Sequence, residues 1–368
     1  MPAPALPTAP PAPGVLSLIA PPLPLRAFLR FAGYRLRPPQ PVPHAPEVTH
    51  AADAVLARGE AEPRQASTVL CERRAGDRPT IVLGGFVPDS TEQVFLLRGM
   101  LLRHGSVYYL NYPRRGFSIA MLCAQIDDLV EELRLRGQRP VVLSVSFGCA
   151  VLVEWLRRAR AQRRETPVSG AVLVSPVACY EDVADPSSAR PATLLGRALR
   201  PFAERGVGAD PSVVERARVI LLKMFEAGAN NRAALAGLLS PAELRRLHAA
   251  VSAAIRGIDA TGAIERVGAL RALDPPASWA TPWPPLCPAP ALILYAEKEG
   301  SVLSANSPTR RLLESDRSRL FPASECRVVR GGVTPVQHAS LIFHHYQFLP
   351  HVAAFYRRSN SGKFVLAA

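Results

Sequence analysis

The chain has 368 residues, of which 48% are hydrophobic and 20% charged, a composition that excludes a disordered tail or a fibre and suffices for a substantial core. Its length fits two domains or one α/β domain carrying an insertion. The formal net charge of +14 raises the question of an anionic partner. Lysine occurs only at Lys223, Lys298 and Lys363, however, and the arginines that make up the rest of the basic residues are scattered rather than gathered into a block. With no recognition module beside the charge, no nucleic-acid partner is expected.

Cysteines at positions 71, 123, 149, 179, 287 and 326 form no CxxC pair, so reduced thiols in a cytoplasmic protein are expected rather than a zinc site or a redox motif. The N-terminus has no basic n-region, and its apolar stretch is cut by Pro21, Pro22 and Pro24. Neither a signal peptide nor a membrane-spanning helix is therefore expected.

Of the 37 prolines, 14 fall in residues 1–46, and residues 1–66 read as a proline-rich arm. Within it, residues 25–37 interleave Phe28, Leu29, Phe31, Tyr34 and Leu36 with Arg26, Arg30, Arg35 and Arg37. Two readings stand for this stretch: a short helix packed back onto the domain, or a weak peripheral contact with an anionic membrane.

From residue 67 short apolar runs alternate with amphipathic stretches, the pattern of a mostly parallel sheet with helices on both faces. Strands are expected near 67–73, 80–84, 106–111, 140–145, 169–174, 290–296 and 325–330. Helices are expected near 91–103, 119–136, 147–162, 307–315 and 340–357. The alternation breaks over 179–287, which contains helical spacing but no convincing strand, and an insertion explains the break. Within it, Ser240-Pro241-Ala242-Glu243 has the spacing of a capping box and predicts a helix start.

The chemistry concentrates at strand ends. The apolar run Val141-Val142-Leu143-Ser144-Val145 leads directly into Ser146-Phe147-Gly148-Cys149-Ala150 and a helix, so a serine stands in a sharp turn flanked by small residues. This segment resembles the G-x-S-x-G nucleophile elbow of the α/β-hydrolase family, with Ser144 in place of the first glycine. The run Ile81-Val82-Leu83-Gly84-Gly85-Phe86-Val87-Pro88 is similar to the family's H-G-x-P loop, with Gly84 where histidine is common. Residues 109–118 resemble its D-x-P-G-x-G-x-S stretch, where Ser118 reads as a turn or capping group.

Near the C-terminus, Tyr295-Ala296-Glu297-Lys298-Glu299-Gly300-Ser301-Val302 looks like the family's strand followed by G-x-x-D-x-x-V. The stretch Thr334-Pro335-Val336-Gln337-His338-Ala339 resembles the loop that carries its histidine. The resemblance covers residues 67–178 and 288–357, with its motifs in the family order. It implies an α/β-hydrolase core over 67–178 and 288–368 and a helical cap over 179–287. It also implies a Ser146 nucleophile, a His338 base and a Glu299 acid, with Asp182 as the alternative acid.

The backbone N–H groups of Phe86 and Phe147 would then meet the oxyanion. The implied reaction is hydrolysis of a small-molecule carboxylic ester or thioester through an acyl-enzyme, with no metal or organic cofactor. His344, His345 and His351 read as packed or solvent-facing groups. Two other readings stay open: acyl transfer by the same residues, and a noncatalytic binding protein, suggested by Ser144 and Gly84.

Overall fold

An eight-stranded sheet organises the computed structural model, which describes residues 41–185, 190–205, 210–228, 239–257, 259–279, 284–332 and 334–360. Its strands are β1 (Val42–Pro43), β2 (Thr68–Glu72), β3 (Thr80–Leu83), β4 (Val107–Asn111), β5 (Val141–Val145), β6 (Gly170–Val174), β7 (Ala291–Ala296) and β8 (Ser324–Val329). They lie in the order β1-β2-β4-β3-β5-β6-β7-β8. β1 and β2 pair antiparallel, β2 runs antiparallel to β4, and every pairing from β4 to β8 is parallel.

The central strands are apolar throughout because both faces are covered. Successive residues alternate between two cores: Ala171 and Leu173 point into one, Val172 and Val174 into the other, and Leu292, Ile293 and Leu294 alternate likewise. The first core is completed by α2 (Ile119–Leu135) and α3 (Gly148–Ala161), the second by α9 (His345–Asn360) and the segment containing Val94, Leu97 and Leu101. Ser118 caps α2 by accepting from the Met121 N–H at 3.2 Å, the capping role expected of it.

Residues 91–103, expected as one helix, form two turns, Ser90–Gln93 and Arg98–Leu101. Between them the Phe95 and Leu97 N–H groups bond three residues back, to Glu92 and Val94, so the helix tightens instead of continuing. The last helix begins at His345 rather than near 340.

Residues 42–66, the end of the stretch read as an arm, lie on the fold. β1 adds to the sheet edge, and α1 (His50–Ala57) docks on α2, where Asp128 accepts the Ala51 and Ala52 N–H groups at 2.8 and 2.9 Å. A two-residue strand containing Pro43 carries no alternation, so sequence patterning could not reveal it. Residues 25–37 lie outside the described residues.

Between β6 and β7 the chain runs through α4 (Leu194–Arg205), α5 (Pro211–Gly228), α6 (Pro241–Gly257) and α7 (Ala260–Ala272). The expected capping box opens α6: the Ser240 N–H bonds Glu243 Oε2 at 2.7 Å and the Glu243 N–H bonds Ser240 Oγ at 3.3 Å. α8 (Pro308–Ser315) follows β7 and is capped by Ser307, which accepts from the Arg310 N–H.

Candidate active site

Ser146 occupies the first residue after β5, with φ of 50°, a left-handed conformation costly for a residue bearing a Cβ. Its N–H donates to the Val174 carbonyl at 2.8 Å, and its carbonyl accepts from the Cys149 and Val177 N–H groups, so the neighbouring strand and helix hold the turn. Gly148 is required for closeness: a Cβ there would collide with the Leu83 and Gly84 carbonyls. Ser144 keeps its extra hydroxyl satisfied by donating to the Val172 carbonyl at 3.1 Å.

His338 and Glu299 converge on this serine. His338 Nε2 lies 2.9 Å from Ser146 Oγ, and His338 Nδ1 bonds Glu299 Oε2. A bridge between Lys298 and Gln337, with the Lys298 N–H donating to the Val336 carbonyl at 2.9 Å, sets residues 299 and 338 side by side. Glu299 Oε1 accepts the Ala296 N–H at 2.6 Å. Burial alone would push this carboxyl up, but His338, the Ala296 N–H and the Ser175 hydroxyl together hold it below its usual 4.5.

Ser175 had no place in the sequence reading. It follows β6 directly with φ of 47°, and its Oγ accepts the Ala339 N–H at 3.0 Å while its hydroxyl bonds Glu299. It thus ties the acid loop to the histidine loop. The available signal was a small polar residue at the carboxyl end of a buried parallel strand, where sites of open α/β sheets gather.

Asp182, the alternative acid, is fully buried with other partners. Its Oδ2 accepts the Ala178 and Cys179 N–H groups at 2.8 and 3.1 Å, and its Oδ1 takes the Ser307 hydroxyl and the Thr309 N–H at 2.7 and 3.0 Å. Glu297 points away and accepts the Gly331 N–H at 3.1 Å. His344 and His345 are buried rather than exposed, and His344 Nδ1 bonds Ser340 Oγ.

The loop after β3 is fixed by side chains from the following turn. The Gly84 N–H donates to Ser90 Oγ at 2.9 Å and the Gly85 N–H to Gln93 Oε1 at 2.6 Å. Gly84 leaves room for this arrangement, since a Cβ would lie 2.8 Å from Ser90 Oγ. Neither the Phe86 nor the Phe147 N–H has an acceptor among the described residues, although both residues are buried and their rings meet edge to face at 5.7 Å. Backbone N–H groups without an acceptor are rare in buried residues.

Ser146 and His338 open onto a cavity of about 160 Å³ walled by Leu195, Leu221, Met224, Val251, Ile255 and Ile342. Apart from His338, none of the described residues lining it is ionisable.

No family model matches the chain, and no curated protein matches its sequence. Solved structures are similar in fold. The esterase RhEst1 from Rhodococcus sp. ECU1013 superposes with a TM-score of 0.51 at 16% identity over 78% of this chain and 94% of that one. A thermophilic esterase from Thermogutta terrifontis gives 0.50 at 16% identity over 80% and 94%, and MenH from S. aureus gives 0.50 at 13% identity over 79% and 98%. Taken with the sheet order and the strand-turn-helix at Ser146, these likenesses identify the architecture as the α/β-hydrolase fold.

Proposed function

We propose that this protein is a serine hydrolase that cleaves a small carboxylic ester or thioester with an apolar acyl group. The observation that carries the reading is the continuous hydrogen-bonded chain from Ser146 through His338 to Glu299 at the mouth of an uncharged apolar cavity. A serine hydroxyl is a weak nucleophile until a base removes its proton, and His338 Nε2 stands at the distance needed. Glu299 fixes the imidazole so that Nε2 faces the serine, and its negative charge stabilises the imidazolium that forms.

Attack by Ser146 Oγ on the acyl carbonyl places negative charge on oxygen, and the unpaired Phe86 and Phe147 N–H groups are the donors assigned to it. His338 then returns its proton to the leaving alcohol or thiol. Water, deprotonated by the same imidazole, releases the acyl group from Ser146. The departures at Ser144 and Gly84, which suggested a noncatalytic protein, are each accommodated by the local bonding described above.

The helices between β6 and β7 serve as a cap, since α4, α5 and α6 supply much of the cavity wall. Their apolar side chains favour an alkyl or aryl group and offer no charge to pair with an ionic one. Six free cysteines fit a reducing compartment, consistent with a cytoplasmic location. No helix among the described residues is long and apolar enough to cross a membrane.

A panel of p-nitrophenyl esters and acyl-CoA thioesters of increasing chain length tests the reading, with Ser146→Ala as control. Turnover of at least one neutral apolar substrate should fall by about 10⁴-fold or more in the variant. Equal turnover in both proteins would overturn the assignment of Ser146.

A further inference from the structure

Arg266 is the most deeply buried cation of the described residues, at 1% exposure, and it lies on α7 among Ala263, Val267 and Leu270. Burying a guanidinium is expensive unless its donors and charge are met. Among the described residues no carboxylate bonds it. Nη1 donates to the Phe86 carbonyl at 2.7 Å, Nη2 donates to the Pro113 carbonyl at 2.9 Å and reaches the Tyr112 carbonyl at 3.4 Å, and Nε has no partner among the described residues. The rings of Phe86, Tyr112 and Phe117 surround the cation with centroids 5.7, 5.8 and 5.9 Å away. Desolvation, reinforced by Arg114, lowers the guanidinium to about 10, so it remains protonated at neutral pH.

The helix that carries this cation is locked to the loop beneath it. A Cβ on Gly262 would collide with the Arg114 carbonyl, Glu265 accepts the Phe117 N–H at 3.0 Å, and Asp259 pairs with Arg115. The guanidinium therefore projects from a fixed support. On the other side, the Gly84 and Gly85 N–H groups are held by Ser90 and Gln93. Residue 86 is thus clamped in front through its neighbour's N–H and behind through its own carbonyl. Of the Gly84, Gly85 and Phe86 N–H groups, that of Phe86 is the one without an acceptor among the described residues.

We propose that Arg266 is a positioning residue for the reaction: by holding the Phe86 carbonyl, it aims the Phe86 N–H at the oxyanion and couples the helical insertion to the reacting centre. This rests on the assignment of the Phe86 N–H as an oxyanion donor. A planar guanidinium can span the carbonyls of two loops at once, whereas a lysine ammonium is a point donor that reaches one site. Interactions of this kind matter only when charge develops on the acyl oxygen, so their loss should appear in kcat and not in KM.

The test combines Arg266→Met, which keeps an apolar side chain among the rings, with Arg266→Lys, which keeps the charge. For the best ester of the panel, Arg266→Met should lower kcat by about 10²-fold with KM within threefold, and Arg266→Lys should recover only part of the loss. An alkyl trifluoromethyl ketone provides the second readout, because its adduct with Ser146 carries an ionisable oxygen where the oxyanion forms. Titration of that adduct by NMR should show an ionisation below that of the free hydrate in wild type, shifted up by about one pH unit or more in Arg266→Met.

A wild-type adduct with no lowered ionisation would contradict the oxyanion assignment itself. A lowered wild-type ionisation that Arg266→Met leaves in place, with kcat unchanged, would overturn the role of Arg266 alone. If Met does not fold, the same two measurements on Arg266→Lys decide. Failure of both variants to fold would assign Arg266 to the fold and overturn the proposal.

Discussion

Two neighbouring strands are each followed by a buried carboxylate, and the two groups have different fates. After β6, Asp182 spends both oxygens on donors of its own framework: two N–H groups of residues 178–179, the Ser307 hydroxyl and the Thr309 N–H. After β7, Glu299 spends one oxygen on the Ala296 N–H and turns the other to His338. Burial is similar, at 0% and 3% exposure, so burial does not separate them. What does is the identity of the second partner. A carboxylate whose partners are all fixed donors serves as a clamp, whereas one shared with an imidazole can respond to a proton arriving on that ring.

The comparison can be broken at the imidazole, where the largest effect is expected. His338→Ala should lower turnover by about 10⁴- to 10⁶-fold, comparable to loss of the serine, because both act in one proton transfer. Steady-state kinetics on the best ester checks this, and turnover within tenfold of wild type would show that Glu299 has no reacting partner. Glu299→Gln should come next, with turnover down by about 10³- to 10⁴-fold, since an amide cannot stabilise the imidazolium.

Asp182→Asn sharpens the contrast from the opposite side. An amide nitrogen facing four donors leaves some of them unpaired, so stability should fall by about 2–4 kcal/mol in denaturant unfolding. Turnover of the folded fraction should stay within about threefold. A crippled but stable Asp182→Asn, beside a mild Glu299→Gln, would exchange the roles of the two carboxylates.

The smallest effect is on acid stability. The Glu299 carboxyl is lower in the folded chain than its usual 4.5, so its contribution to stability is present above that pH and is lost as pH falls through the folded value. Unfolding free energy measured on acidification below about pH 4.5 should therefore fall more steeply for wild type than for Glu299→Gln. Equal slopes would mean that the carboxylate gains nothing from its partners on folding.

Much of this site was legible because it sits where local patterning is strong. Ser146 and Glu299 each follow a buried, largely apolar strand, and His338 follows β8, a mixed and partly exposed strand, in a loop whose residues resemble the family's; the central apolar strands announced a buried parallel sheet. The sequence favours Glu299 over Asp182 through the resemblance of its loop to G-x-x-D-x-x-V, whereas the partners that separate the two carboxylates appear only in the tertiary contacts. Ser175 acts through a bond to a segment 164 residues away, and Gln93 acts on Gly85 across an irregular turn, so no periodic pattern marks either. Arg266 left one trace, a charge placed on the apolar face of α7 with Ala263, Val267 and Leu270, but it stood among many arginines. Its carbonyl partners lie more than 150 residues away.

The most direct test of the central claim is covalent labelling of the nucleophile. Wild-type protein treated with an alkyl fluorophosphonate should gain one adduct by intact mass, and peptide mapping should place it on Ser146. Ser146→Ala should gain none, and His338→Ala should label far more slowly. An unlabelled wild type, or an adduct on another residue that survives Ser146→Ala, would contradict the account.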